Sequence, residues 1–186
     1  MKCEKTCLTM KFEFSDYLYF KLLTLVPFFT AIIGIWQNAS SPLWILAYLG
    51  VITWHTNITY MLFCPHCPYY QQSKKTTKCI MIWGIPKIYK HKPGPASKAV
   101  STLIITDILL TSVFPLYWLW QTWYLLVIYV LSVSILLVSL IKNECSRCIW
   151  FDCTKNTVPE DIRKAYLEYH KPDVAITEPS KQKIST

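Results

Sequence analysis

Ionisable residues are distributed along this 186-residue chain so that two long blocks are almost free of them. Between Lys21 and Lys74 there is no Lys, Arg, Asp or Glu, and between Lys98 and Lys142 the single one is Asp107. A helix crosses ~30 Å of hydrocarbon with about 20 residues, so each block has room for two spans. With 53% hydrophobic residues, the chain has too little polar sequence to enclose such runs in a soluble core. We therefore expect an integral membrane protein.

The apolar runs are continuous and do not alternate with polar residues, which predicts helices and excludes the strands of a transmembrane barrel. Short polar or aromatic turns divide each block into a hairpin of two helices. The expected fold is an all-α membrane protein with four transmembrane helices, at about residues 17–36, 43–63, 99–116 and 124–141.

The remaining sequence divides into three parts around this transmembrane domain of residues 17–142. Residues 1–16 form an N-terminal segment, and residues 64–98 form a cysteine-rich loop between the two hairpins. Residues 143–186 form a tail in which we expect a short helix over 158–169 and a disordered end.

Lysines predict the orientation of the helices. The loop from Cys64 to Lys98 carries seven lysines and no acidic residue, whereas the turns at 37–42 and 117–123 carry no charge. The positive-inside rule then places the loop and both termini in the cytosol, at the cell membrane if the source is prokaryotic. The net charge of +8 is explained by this orientation, so we expect no nucleic-acid partner.

All eight cysteines lie outside the expected spans, on the side predicted to be cytosolic. Cys64-Pro-His-Cys67 and Cys145-Ser-Arg-Cys148 both have the spacing that lets one tight turn direct two thiolates at one metal ion. Each pair has a third cysteine close downstream, and disulfides are disfavoured in the cytosol. The predicted metal ligands are Cys64, Cys67, Cys79, Cys145, Cys148 and Cys153. For Cys3 and Cys7, palmitoylation beside the membrane is as good an explanation as ligation.

Two arrangements of these ligands are compatible with the sequence. The two C-x2-C pairs can form one four-thiolate site, which leaves Cys79 and Cys153 unused. Alternatively, each triplet forms its own site, completed by His66 or His91 in the first and by His170 in the second. Zinc and an iron–sulfur cluster are equally compatible with either arrangement.

Two ionisable residues fall inside expected spans, where such residues are rare and usually functional. His55 lies nine residues before Cys64, and Asp107 lies nine residues after Lys98, so both are expected ~13 Å from the same membrane edge. We predict a His55–Asp107 pair. It could bind a cofactor such as a quinone headgroup, relay protons, or join two helices by a hydrogen bond.

These features favour a redox or accessory subunit of a membrane complex. An iron–sulfur centre would carry electrons at the membrane surface, whereas zinc would clamp the loop to the tail. One alternative is a transporter that passes metal ions from the thiols to His55 and Asp107, and another is a thiol-redox enzyme. The expected partners are the lipid bilayer and either other membrane subunits or further copies of this chain.

Overall fold

The computed structural model describes residues 8–71, 73, 75–92, 94–153 and 155–169. The predictions for Cys3, Cys7, His170 and the end of the tail lie outside this part of the chain. The described chain is mostly helical, with helices α1 Phe14–Asn38, α2 Leu43–Ile58, α3 Lys98–Val113, α4 Leu116–Leu119, α5 Trp123–Ser139 and α6 Glu160–Tyr169.

In the described part of the chain, three helical stretches are long and apolar enough to cross a membrane: Phe14–Asn38, Lys98–Leu119 and Trp123–Arg147. They include the first, third and fourth expected spans. The second, α2, has only 16 residues of α-helix before a π-helical turn continues it over Thr59–Phe63. Near its end, His55 and Asn57 interrupt the apolar sequence. The structure therefore supports membrane insertion through three helices.

Helix packing brings the two hairpins together. Helix α1 packs on α4 and α5, and α2 packs on α3. The resulting core contains Ala31, Ile35, Tyr48, Trp118, Leu119, Leu125 and Tyr129. The outer helix faces are apolar as well, since Leu22, Leu110 and Leu131 are more than half exposed. Exposed apolar faces around a bundle are what a lipid environment requires.

Close contact between α1 and α4 depends on Gly34. A Cβ atom placed there would lie 2.4 Å from Leu119 Cδ2 and 3.1 Å from Leu119 Cγ. Leu119 is fully buried, so its side chain has little room to move away. Nearby, Asn38 Nδ2 donates to the Trp118 carbonyl at 3.1 Å and to Thr122 Oγ1 at 2.8 Å, which fixes the same helix pair.

We expect Gly34→Val to destabilise the bundle by about 2 kcal/mol, the usual effect of overpacking a filled core. Gly50 on α2 is the matched control, because a Cβ atom there would meet nothing within 4 Å. Thermal unfolding in detergent should show a lower midpoint for Gly34→Val and an unchanged or higher one for Gly50→Val. Equal midpoints for the two variants would contradict this account of the α1–α4 contact.

The cysteine-rich loop contains a small antiparallel hairpin, with strands β1 Thr76–Lys78 and β2 Trp83–Pro86. No secondary structure is predicted for this loop from the sequence, so the hairpin adds a small β element to a mostly helical fold. Its register is irregular near Thr76 and Lys78, and Gly84 has a φ of 79°, which L side chains rarely adopt. Three-residue strands carry too little periodicity to be read from sequence. The tail helix is confirmed but begins at Glu160, two residues after its expected start.

Candidate functional site

The two C-x2-C pairs are built by the same succession of backbone conformations. After α2, the chain forms the π turn Thr59–Phe63 and then a 3₁₀ turn over Cys64–His66. Cys67 follows in an extended conformation, with φ −78° and ψ 133°. π turns inside helices are rare and concentrate at functional positions.

After α5, the same conformations recur. A π turn over Leu140–Glu144 leads into a 3₁₀ turn over Cys145–Arg147. Cys148 is then extended, with φ −80° and ψ 129°. The two hairpins thus end in equivalent structures that present cysteines at equivalent positions, although their sequences share little beyond the cysteine spacing.

Aromatic side chains two residues after each pair cross over to the other hairpin. The hydroxyl of Tyr69 accepts a hydrogen bond from the Ile149 N–H at 3.3 Å and donates to the Thr9 carbonyl at 2.7 Å. Reciprocally, the ring of Trp150 packs on Phe63, with centroids 4.9 Å apart. Both Tyr69 and Trp150 are buried. The crossed pair holds the two cysteine segments against each other.

Main-chain N–H groups are directed at several of the sulfurs. Ile82 N lies 3.4 Å from Cys79 Sγ, and Trp150 N lies 3.4 Å from Cys148 Sγ. Cys67 likewise receives a hydrogen bond from a backbone N–H, that of Tyr69. Hydrogen bonds of this kind favour a thiolate over a thiol and recur around metal-bound cysteine sulfurs.

Burial opposes the charged form of the same sulfurs. It raises the pKa of Cys64 to about 12, with nearby Cys79 as the second cause, and raises the pKa of Cys67 well above its ordinary value. Burial also raises the pKa of Cys79 and of Cys148. Without a cation these groups stay as thiols at neutral pH. A thiol–disulfide exchange enzyme needs the opposite, a cysteine of lowered pKa.

The first triplet is gathered by the loop. Cys64 lies in a small apolar cluster with Tyr60, Tyr70 and Ile82, and Cys79 packs against that cluster. Cys67 N donates to the Cys64 carbonyl at 3.0 Å, which closes the turn that carries the pair. The hairpin therefore places Cys79 beside Cys64, a member of the first C-x2-C pair.

The second triplet is gathered by a compact turn after α5. Asn156 Nδ2 donates to the carbonyl of Cys148 at 2.8 Å and to that of Trp150 at 2.9 Å. Thr157 N donates to the Cys145 carbonyl at 3.2 Å, which closes the segment on itself. Cys153 lies in the same turn, because its N–H donates to the Trp150 carbonyl at 3.2 Å and its carbonyl accepts from the Asn156 N–H at 3.0 Å.

The two triplets are joined across the hairpins, because the Tyr69 hydroxyl, two residues after Cys67, accepts from the N–H of Ile149, next to Cys148. As they are placed, no three Cys, His, Asp or Glu side chains among the described residues converge closely enough to hold a metal ion. All six predicted ligands are free thiols. Of the two histidines that the sequence offered to the first triplet, His66 directs Nδ1 at the Gly94 carbonyl at 3.3 Å. His91 has a buried Nδ1 with no hydrogen-bond partner in the described chain.

The predicted pair between α2 and α3 is present. His55 Nδ1 contacts Asp107 Oδ2, with side chains 21% and 13% exposed. Of the helix hydroxyls, those of Thr53, Thr56 and Ser112 donate to carbonyls four residues earlier. The hydroxyls of Thr59 and Thr111, each one turn from a member of the pair, are buried without a partner in the part of the chain described.

Three residues of the site were not predicted from the sequence: Tyr69, Trp150 and Asn156. The first two stand two positions after the second cysteine of each pair, and this repeated aromatic was a readable signal. Asn156 gave none, because its role depends on a turn that only the folded tail forms. Comparison with known proteins adds no function, since no protein family, curated protein or solved structure matches this chain.

Proposed function

We propose that this chain is a four-span membrane protein whose cysteine triplets bind metal on one membrane face, as a redox or accessory subunit of a membrane complex. The observation that carries the proposal is the shared backbone geometry that ends both hairpins and brings six cysteines to one end of the bundle. Equivalent turns with N–H groups directed at sulfur suit metal ligation and have no evident use in a merely structural loop.

Burial of the thiols supports metal binding over direct thiol chemistry. Cys64 is 8% exposed and packs with tyrosine and isoleucine side chains, so a substrate disulfide has little access to its sulfur. Burial alone disfavours the thiolate form of these cysteines. A bound cation would compensate the charge of several thiolates at once. Zinc and iron–sulfur both satisfy this requirement.

The proposed arrangement places α2 across the membrane as the partner of α3. The His55–Asp107 contact lets α2 lie in the bundle with its ionisable group paired. Seven lysines in the loop then orient the cysteine-rich end toward the cytosol, together with both termini.

Anaerobic purification followed by metal analysis tests the proposal. We expect zinc or iron at no less than about one equivalent per chain, as for other sites built from C-x2-C pairs. Broad visible absorbance that reductant bleaches would identify iron–sulfur and electron transfer, whereas a colourless zinc protein would favour the accessory role. The variant with all six cysteines replaced by serine is the control and should lose the metal. A metal-free wild-type protein would contradict the proposal.

A further inference from the structure

Two lysines flank a pair of aromatic rings at the end of the bundle that carries the cysteines. We propose that this surface, formed by Lys21 of α1 and Lys78 of β1 around Tyr17 and Trp83, binds the headgroup of an anionic phospholipid. None of the cysteines takes part, so lipid binding here is independent of the proposed metal site.

Trp83 joins the cysteine-rich loop to the start of α1. Its ring centroid lies 5.8 Å from that of Phe14 and 6.3 Å from that of Tyr17, and its plane is inclined by 32° to the Tyr17 ring. Lys78 is the hairpin partner of Trp83 and places Nζ 5.8 Å from the centroid of that ring. Lys21 places Nζ 5.5 Å from the Tyr17 centroid. The two amines therefore belong to one surface, although they come from distant parts of the sequence.

Both amines are available to an anion. Lys21 and Lys78 are exposed, and neither forms an ion pair with a carboxylate among the described residues. An ammonium group over a ring keeps hydrogen-bond donors for other partners, because it has three. The loop of residues 64–98 contains no Asp or Glu, so no carboxylate of the loop competes for these amines. The charge of the surface is complementary to an anionic headgroup.

The position of Lys21 on α1 places this surface at a membrane edge. Lys21 lies within Phe14–Asn38, a stretch that is apolar enough to cross a membrane. A lysine so placed extends its amine toward the headgroups, the level at which Tyr and Trp rings concentrate.

An exposed apolar strip continues from Lys21 along the same side of α1. Leu25 and Phe29, four and eight residues further on, are 41% and 53% exposed. A phospholipid held through its headgroup would cover these side chains with an acyl chain, whereas a free phosphate ion would leave them uncovered. The combination of cationic and apolar surface therefore favours a lipid as the occupant.

Native mass spectrometry tests the proposal on the full chain, released from detergent that contains equal amounts of phosphatidylglycerol and phosphatidylcholine. The ratio of bound anionic to bound zwitterionic lipid should be well above one. Lys21→Gln and Lys78→Gln should each lower this ratio about fivefold, the usual effect of one lysine near an anionic membrane surface. Unchanged helical circular dichroism would show that the variants still fold.

Lys90→Gln is the matched control. It removes one charge from the same loop, and the amine of Lys90 lies over no aromatic ring in the described chain. This variant should leave the lipid ratio nearly unchanged. An equal decrease in all three variants would mean a diffuse effect of the basic loop and would overturn the proposal.

Two further results would also contradict a lipid site. Equal retention of the two lipids by the wild type would exclude selection of an anionic headgroup. Displacement of phosphatidylglycerol by inorganic phosphate, but not by acetate at the same ionic strength, would assign the surface to a free phosphate ion. Each of these results would leave the proposed metal site standing, because that site is tested by metal content.

Discussion

Replacing Asp107 by alanine is expected to lower the free energy of unfolding by about 3 kcal/mol. Loss of one partner from a buried pair leaves the other without compensation, which costs about 3–5 kcal/mol. We expect the lower end of that range because His55 is 21% and Asp107 13% exposed. Unfolding by SDS in mixed micelles would measure the loss. Thr56→Val is the matched control, since among the described residues that hydroxyl bonds only to the carbonyl of Ile52 in its own helix.

A double-mutant cycle separates pairing from packing at this position. We expect His55→Leu/Asp107→Leu to be more stable than either single substitution to leucine, because an apolar pair leaves no unpaired ionisable group in the bundle. If the losses from the two single substitutions simply add in the double variant, the contact between α2 and α3 contributes nothing specific. The two unpartnered hydroxyls of Thr59 and Thr111 would then be the better place to look for a role of this interface.

Removing the metal is expected to open the cysteine-rich loop while the helices persist. In the described part of the loop, regular structure is limited to two 3₁₀ turns and a two-stranded hairpin around a small buried cluster, which is marginal for independent stability. Structural metal sites in small domains contribute much of the folding free energy. After chelation, trypsin should therefore cut at Lys75 and Lys78 about tenfold faster or more.

Mass spectrometry of the digest would locate the cuts, and a control sample restored with the native metal should regain protection. Cleavage at Lys21 within α1 should stay slow in both states, because that helix packs in the membrane core. A loop that is cut at the same rate with and without metal would contradict the idea that metal organises it.

The helices could be predicted from the sequence because their signal is long. Runs such as the one that forms α5 leave no other way to bury so much apolar surface, and polar turns mark their ends. The depth of His55 and Asp107 followed from counting residues along two such helices, and their contact agrees with it. Helix ends were less accurate, since α1 begins at Phe14 and not near residue 17.

The local organisation of the cysteine face could not be predicted, because it depends on contacts between segments distant in sequence. The bond between the Tyr69 hydroxyl and Ile149 joins residues 80 positions apart. The π turns before Cys64 and Cys145 have no sequence signature that we could use. The sequence did show two cysteine triplets, each directly after the second helix of a hairpin. In the structure, the C-x2-C pairs of both triplets have the same backbone conformation.

X-ray absorption at the edge of the metal that co-purifies tests the central claim most directly, since it reports the atoms bound to that metal. We predict a first shell dominated by sulfur, at about 2.3 Å if the metal is zinc. The signal should disappear in the variant that lacks the six cysteines. A first shell of oxygen and nitrogen alone would show that these cysteines are not the ligands and would contradict the account.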